Sequence, residues 1–497
     1  MNSPSGDSNS TSNLDEQSWR PNKLQRWMLW GDFFCFLLMV ILFSGGLLTQ
    51  GWVDYDLGRA AAYGICGLLG GWSCICLMAG RFSGPEKRLI RFTLYALLLL
   101  VFLTGIQLVP LPASVVRSVS PPWNWALSEM ESTGISVPEF VPLAHSPARA
   151  LVSWYQLIAG VCFYSAACLL ASRKRTSRLL ILLIICTSLL EGFAGFAVYL
   201  FQTNVLRLSG ALVNPNHHAA LILLAVPAFM GLFINWQQHQ FGSPWAFLRG
   251  TNVGSLAVFV LGLMVVSWGL SLSRGSLLTG IVGLSIWVVL EYVHWRRKHP
   301  YDVYWTTQRA ASTFAGIFAI VLLLLVPLLQ STQVVERFGE RVQTSSLVDE
   351  GRIEMSRATL QALGESPLFG LGLAGANHAI NRFEKTDSSK KAIWSHNDYV
   401  QLMSELGGIF SLVFLVALIV CGITARTYVL EAGKRFSWAE ALPTRGCIVG
   451  FALVLFHAFV DFHLRIPLVG FAALALLALS VSPGLLYDQA YHKGRHS

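Results

Sequence analysis

Residues 395–423, SHNDYVQLMSELGGIFSLVFLVALIVCGI, place three polar side chains shortly before a long apolar run. His396, Asn397 and Asp398 supply an imidazole, an amide and a carboxylate, and no charged residue follows between Ile409 and Ile423. An apolar run of about 20 residues can span the hydrocarbon core of a bilayer as a helix. The stretch therefore predicts a membrane helix with chemically reactive side chains at its edge.

Similar apolar runs recur along the whole chain. Of the 497 residues, 54% are hydrophobic and only 13% are charged, which is about half the charged share of a soluble protein. The runs predict helices, since a helix satisfies its own backbone hydrogen bonds in lipid and the alternation of barrel strands is absent. We expect an all-α integral membrane protein with about twelve transmembrane helices. Their expected centres are Leu38, Leu69, Leu99, Gly160, Leu189, Ala225, Gly262, Ile286, Ile320, Leu412, Val454 and Leu476.

The expected organisation is one membrane domain between two short tails. Residues 1–27 are rich in Ser, Asn and Asp and predict a disordered cytoplasmic tail without a signal peptide, because the next apolar run is long enough to remain as a helix. Residues 28–486 are the polytopic membrane domain, and residues 487–497 are a second cytoplasmic tail. All nine cysteines lie in or beside apolar segments, which predicts buried thiols without a disulfide framework or a zinc site.

Lysine and arginine residues indicate the orientation. With the N-terminus inside, most of the 36 Lys and Arg residues fall in the short inner segments, as the positive-inside rule requires. Both termini are then cytoplasmic. Two large segments lie outside: residues 110–150, and residues 331–400 between the ninth and tenth helices. This topology explains the net charge of +9, so a nucleic-acid partner is not needed.

The longer outer loop contains a helix signal of its own. In SSLVDEGRIEMSRATLQAL, residues 345–363, apolar residues recur near helical spacing and Asp349 and Glu350 suit the positive end of a helix dipole. The Gly and Pro residues of GESPLFGLGLAGA, residues 364–376, then interrupt the pattern. We expect short helices that lie on the outer face of the membrane.

Four groups of polar residues lie at the expected outer ends of helices, where ionisable groups are costly and indicate function. The first, RLSGALVNPNHHAA at residues 207–220, contains Asn214, Asn216, His217 and His218 at the start of a helix. The free N–H groups of such a helix suit a phosphate. The alternative is that one of the asparagines only caps the helix.

The second and third groups each centre on an arginine. Arg274 lies in SLSRGSLL, a hairpin so short that the side chain must be at the bilayer surface, where it either binds a ligand or snorkels. Arg352 and Arg357 lie on the helix expected in the long loop, and pairing with Glu354 or Glu350 at helical spacing is the alternative to ligand binding.

The fourth group is the stretch quoted first. His396 is either a satisfied polar group or a catalytic base. His457 and Asp461 lie four residues apart, which would put them on one face of the eleventh helix at its outer end. They either pair with each other or support the same site. Glu191, inside the fifth helix, is expected to face protein instead of lipid.

These motifs, in their order and spacing, resemble the O-antigen ligase and polymerase superfamily of bacterial membrane glycosyltransferases. The resemblance covers roughly residues 110–477 and rests in part on the motif IQLVPLP, which comes before a Pro- and Trp-rich outer loop. His396, Asn397 and Gly407 fit the family pattern of a His, then Asn, Ser or Gln, then nine residues and a Gly. The other matching motifs are RLSGALVNPNHHAA, SLSRGS and GESPLFGLGLAGA.

The resemblance implies a twelve-helix fold of the GT-C type in the plasma (inner) membrane, with the active site facing the periplasm or the exterior. It implies that a glycan moves from an undecaprenyl-diphosphate carrier to a glycolipid, glycan or protein acceptor, without a cofactor or a metal ion. The essential histidine of the family corresponds to His396, and its outward arginines to Arg207, Arg274 and Arg352. The expected supporting residues are Asn214, Asn216, Asn397, His457 and Asp461.

Elementary chemistry agrees with this resemblance. A diphosphate leaving group gains negative charge, and arginine supplies planar guanidinium groups that are always charged. An acceptor hydroxyl needs a base, and an imidazole titrates near neutral pH. We therefore expect a single inverting displacement.

Other functions remain open at this point. A polysaccharide polymerase and a protein O-oligosaccharyltransferase share the donor site of a ligase and differ in the acceptor. A small-anion transporter is the alternative from another class. The two halves of the chain show no obvious internal repeat, which many transporters have, and the polar residues cluster on one side.

Overall fold

The computed structural model describes residues 23–51, 56–82, 87–201, 207–241, 252–298, 350–376, 394–435, 437–482 and 484. The expected ninth span near Ile320 lies outside the described residues, as do the expected tail at residues 487–497, most of the tail at residues 1–27 and much of the expected loop at residues 331–400. The division into tails, membrane domain and loops therefore stays a prediction.

Helices account for most of the described chain. In order they are α1 (Lys23–Leu48), α2 (Asp56–Met78), α3 (Arg88–Ile106), α4 (Ala113–Val119), α5 (Pro121–Ser132), α6 (Pro147–Ala171), α7 (Lys174–Phe201), α8 (Pro215–Phe241), α9 (Asn252–Leu270), α10 (Arg274–Lys298), α11 (Glu350–Glu365), α12 (Asp398–Arg435), α13 (Trp438–His457) and α14 (Pro467–Val481). Single 3-10 turns lie at Gly210–Leu212 and His463–Arg465.

Nine helices of the described chain are long and apolar enough to cross a membrane: α1, α2, α3, α6, α7, α8, α10, α12 and α13. The apolar helices α9 and α14 are shorter. Together, these eleven helices contain the expected centre of every predicted span except the span near Ile320. The protein is thus a helical membrane protein, and the total of twelve spans stays a prediction.

The segment at residues 110–150 departs from the all-α expectation. Strands β1 (Pro110–Pro112) and β2 (Phe140–Pro142) form an antiparallel pair in which Leu111 lies opposite Val141. Helices α4 and α5 lie between the strands in sequence, and Val116, Leu127, Val141 and Leu143 form a small apolar core of their own. The prolines are compatible with these strands, because a two-stranded ribbon has only edges.

Helix α8 occupies the centre of the membrane bundle. Its residues 219–226 are at most 2% exposed, as expected for a helix that is apolar on all sides. It packs against α7, α9, α13 and α14. The N-terminus of α8, with Asn214 directly before it, is therefore held in a fixed position relative to these helices.

Helix α11, described over Glu350–Glu365, lies in the segment for which the sequence predicted a helix. The turn that follows it pairs with a break in α12. Gly407 interrupts α12 with φ 73° and ψ 175°. The Leu371 N–H donates to Ser404 O at 3.0 Å, and the Gly408 N–H donates to Pro367 O at 2.7 Å. These bonds satisfy backbone groups that the break releases, which is required at membrane depth.

Replacing Gly407 with alanine should destabilise the protein by about 2 kcal/mol or more, because a Cβ at a positive φ is strained. That Cβ would also lie 2.2 Å from the backbone nitrogen of Gly370. Gly422→Ala in the same helix is the matched control, since no atom lies within 4 Å of its Cβ position. Thermal unfolding in detergent, followed by circular dichroism, measures the difference. Equal midpoints for the two variants would contradict this account of the break.

Candidate active site

His396 and Asp461 form the centre of the candidate site. His396 lies in the turn before α12 with φ 50°, an uncommon value for a residue other than glycine. Its Nδ1 lies 3.1 Å from Asp461 Oδ1, and the two side chains are 25% and 0% exposed. Because a carboxylate accepts the Nδ1–H, the Nε2 of His396 keeps its lone pair. The pair therefore presents a basic nitrogen on a partly exposed ring.

Asn397 fixes the turn that carries His396. Its side-chain oxygen accepts hydrogen bonds from the backbone N–H groups of Tyr399 and Val400, both at 3.1 Å, so it caps α12. The next backbone N–H, that of Asp398, donates to Ala458 O at 3.0 Å. The start of α12 is thereby joined to the end of α13. Through this cap Asn397 fixes the backbone next to His396.

Arg352 reaches the same carboxylate from α11. Its guanidinium donates from Nη1 to Val460 O at 2.7 Å and lies 3.5 Å from Asp461 Oδ2. Burial by itself would raise the pKa of Asp461, but the His396 hydrogen bond and nearby positive charge outweigh it and hold that pKa well below its usual range. Asp461 is therefore ionised at neutral pH. Arg357, by contrast, pairs with Glu354 at 3.0 Å and is 63% exposed.

Arg207 joins the start of α8 to the turn between α9 and α10. Its Nε donates to Ser271 O at 2.8 Å, and its Nη2 donates to Asn216 Oδ1 at 2.9 Å. Two fixed hydrogen bonds hold the plane of the guanidinium. Asn216 is buried and serves to orient the arginine.

Arg274 is the first residue of α10 and is exposed. Its neighbour Gly275 approaches the end of α13, because a Cβ there would lie 3.3 Å from His457 Nε2. The turn that carries Arg274 therefore lies beside the His457 end of the candidate site.

Asn214 caps α8 and also binds a histidine of that helix. Its Oδ1 accepts from the Asn216 N–H at 2.9 Å, and its Nδ2 lies 3.2 Å from His217 Nε2. The other ring nitrogen of His217, Nδ1, lies 3.2 Å from Nδ1 of His463. The cap is thus the first member of a polar chain that leads from α8 towards Asp461.

The expectation that His457 and Asp461 lie on one face of a helix is wrong. Helix α13 ends at His457, so Asp461 belongs to the irregular segment that follows. The ring of His457 instead packs on His463, with centroids 3.9 Å apart. His457, Asp461 and His463 nevertheless bring one potential ligand atom each to within 4.8 Å of one another. Within the described residues, the spacing of these three would suit a metal ion.

Comparison with known families bears on this geometry. Residues 259–416 match a family model described as O-antigen ligase. Over these residues the chain is similar to the O-antigen ligase family. The match supports the superfamily that the sequence motifs resemble, and no curated protein matches the chain. The matched O-antigen ligase segment includes Arg274, Arg352 and His396, whereas Asp461 lies beyond its end and Arg207 lies before its start.

The sequence analysis missed a buried ion-pair network next to the segment that carries His396. Arg465 lies 2.9 Å from Glu405 Oε2 and 3.3 Å from Asp398 Oδ1, and its guanidinium lies 5.4 Å from the centroid of the Trp394 ring. Glu405 is fully buried. The position of Glu405 directly before a long apolar run could have predicted a buried ion pair, because a charged residue in a membrane helix nearly always has a partner.

Glu191 faces protein, as expected, but does not belong to the cluster around His396. Its carboxylate lies 3.0 Å from His218 Nδ1, and His218 Nε2 lies 2.9 Å from Ser267 Oγ. The same carboxylate accepts from the backbone N–H groups of Ala211 and Leu212. Because Glu191, His218 and Ser267 are all 0% exposed, they hold the turn before α8 in place.

Arg465→Ala should destabilise the protein by about 3–5 kcal/mol, because Asp398 and Glu405 would be left buried without their cation. Adding Glu405→Gln should restore part of the loss, since it removes one of the two unpaired carboxylates. Arg357→Ala is the matched control and should cost less than about 1 kcal/mol, because that pair is exposed. Unfolding midpoints in detergent measure all three. An Arg465→Ala midpoint equal to that of the control would show that the buried network contributes little.

Proposed function

We propose that the protein is a glycosyltransferase that moves a glycan from an undecaprenyl-diphosphate carrier to an acceptor hydroxyl. The reaction would occur at the periplasmic or exterior face of the plasma (inner) membrane, with both termini in the cytoplasm. His396 is the general base, and Asp461 orients it. An O-antigen ligase is the form of this activity that the family match favours, with transfer to a glycolipid acceptor.

The observation that carries the proposal is the hydrogen bond between His396 Nδ1 and the buried carboxylate of Asp461 at 3.1 Å. A carboxylate on one ring nitrogen fixes the tautomer and leaves the other nitrogen free to take a proton. The 25% exposure of the His396 side chain is compatible with a substrate hydroxyl reaching it. The negative charge of the Asp461 carboxylate also stabilises the imidazolium that forms when His396 takes up the proton.

The step is a single displacement at the anomeric carbon. His396 Nε2 takes the proton of the acceptor hydroxyl while its oxygen forms the new glycosidic bond. The bond from the anomeric carbon to the diphosphate oxygen breaks, and undecaprenyl diphosphate leaves with the electron pair. Attack from the face opposite the leaving group inverts the anomeric configuration.

Arginines stabilise the charge that develops on the diphosphate. Arg207 is held in a fixed plane by Ser271 O and Asn216 Oδ1, and Arg274 is exposed at the start of α10. Arg352 shares Asp461 with His396 and so keeps a cation next to the base. Preorganised guanidinium groups suit a diphosphate better than mobile ammonium groups, because they meet its oxygens in a fixed geometry.

His396→Ala should lower turnover by about 10²–10⁴-fold, because the base is lost while the donor site remains. The assay offers purified protein an undecaprenyl-diphosphate glycan with a glycolipid, a second lipid-linked glycan or a Ser- and Thr-containing protein, and measures released undecaprenyl diphosphate. The productive acceptor distinguishes a ligase, a polymerase and a protein transferase. Arg357→Ala is the control with wild-type activity. Saturable anion uptake into proteoliposomes, without turnover on any acceptor, would replace the proposal with a transporter.

Asp461→Asn should lower kcat by about 10²–10⁴-fold with little change in KM for the donor, because an amide can hold the imidazole in the wrong tautomer. Arg274→Ala should instead mainly raise KM for the donor and change kcat little, and Arg274→Lys should recover part of the loss. Steady-state kinetics on folded, membrane-inserted protein separate the two effects. A normal kcat in Asp461→Asn would remove Asp461 from the mechanism.

A further inference from the structure

Three buried polar atoms, on three neighbouring residues of the site, have no hydrogen-bond partner among the described residues. They are His457 Nδ1, Asp461 Oδ2 and His463 Nε2. Their side chains belong to residues that are 1%, 0% and 0% exposed, and the three residues bring ligand atoms within 4.8 Å of one another. Buried polar atoms are nearly always partnered, by protein, water or an ion. One further group of the size of a water molecule or a metal ion would satisfy all three.

The hydrogen bonds of Asn214 decide between these two ligands. Its Oδ1 accepts from the backbone N–H of Asn216 at 2.9 Å, which fixes the orientation of the amide because a backbone N–H can only donate. The amide nitrogen therefore faces His217 Nε2 at 3.2 Å and donates to it. His217 Nε2 must be an unprotonated acceptor, so the proton of this imidazole is on Nδ1.

The same logic extends from His217 to His463. The Nδ1–H of His217 faces Nδ1 of His463 at 3.2 Å, so that nitrogen must accept. An imidazole that accepts at one ring nitrogen cannot be doubly protonated, so the ring of His463 is neutral. A neutral imidazole that accepts at Nδ1 carries its proton on Nε2. The unpartnered Nε2 of His463 is therefore a donor.

A donor at this position is incompatible with a metal ion, which needs the lone pair of each ring nitrogen. The Arg352 guanidinium, 3.5 Å from Asp461 Oδ2, adds a fixed positive charge beside the same place. A water molecule fits the three atoms, because it can accept from His463 while it donates to Asp461 and to His457. Partners at about 2.8–3.0 Å around one oxygen agree with the observed spacing.

We propose that His457, Asp461 and His463 bind a single water molecule, and that the hydrogen-bond chain from Asn214 through His217 orients the site for water and against a metal cation. Asp461 uses its other oxygen to orient His396. Asn214, His217 and His463 are therefore positioning residues that act on the histidine through the bound water and Asp461. This last role rests on the proposed function, whereas the water site itself does not.

The experiment changes one atom of the chain. In Asn214→Asp the carboxylate accepts from both the Asn216 N–H and His217 Nε2–H. The proton of the His217 ring therefore moves from Nδ1 to Nε2, and Nδ1 of His217 becomes an acceptor for His463. His463 then carries its proton on Nδ1 and presents a lone pair at Nε2, next to Asp461 Oδ2 and His457 Nδ1. Three such ligands match a zinc site with an open position. The substitution should convert a water site into a zinc site.

Two measurements on full-length protein in lipid nanodiscs test this conversion. Solid-state NMR of ¹⁵N-histidine-labelled protein, with the His463 signals identified by their loss in His463→Gln, reports which nitrogen is protonated. We expect Nε2–H in the wild type and Nδ1–H in Asn214→Asp. Zinc content after incubation with zinc sulfate and desalting should be negligible in the wild type and about one per chain in Asn214→Asp. It should be negligible again in the double variant with His463→Gln.

The proposal is overturned if wild-type His463 is protonated on Nδ1, or if the wild type retains one zinc ion that His463→Gln removes. It is also overturned if Asn214→Asp matches the wild type in both readouts. The wild-type measurements decide the matter even if the variant does not fold. Neither readout requires glycosyl transfer, so a failure of the proposed function would not be mistaken for a failure of the water site.

Discussion

The structure of the candidate site depends on one buried negative charge. Asp461 is fully buried, and a carboxylate in that position is tolerated only with charged or hydrogen-bonding partners. Its partners come from different parts of the chain: Arg352 from α11 and His396 from the turn before α12. The cost of burying the charge therefore selects an arrangement in which these segments meet. The hydrogen bond to this buried carboxylate fixes the position of His396.

Much of the architecture could be predicted from local sequence. The lengths of the apolar runs predicted the positions of the membrane helices, and helical spacing of apolar residues predicted the helix α11 in the long loop. The residue types of the candidate site were also recognisable, because His396, Arg207 and Arg274 are polar groups beside long apolar runs. Such residues carry a signal in themselves, since lipid makes their position costly.

The contacts between these residues could not be predicted, because they depend on how the chain turns. Four-residue spacing put His457 and Asp461 on one helix face, but α13 ends at His457 and the next residues lead Asp461 to another partner. The pairing of the Gly407 break with the turn after α11 depends on backbone bonds between segments more than 30 residues apart in sequence. The spacing of residues within one helix predicts neither the position of Asp461 nor the backbone pairing at Gly407. His463 was missed for the same reason, since only its neighbours reveal its role.

The position of Asp461 also bears on how such proteins can be recombined. The segment that matches the O-antigen ligase family ends at residue 416, and the carboxylate that binds its histidine comes 45 residues later. The segment is therefore not a self-contained module, and grafting it alone into another membrane protein would leave the imidazole without its anion. Evolutionary or laboratory transfer of this His–Asp pair between chains requires that α13 and the turn after it be transferred together with the histidine.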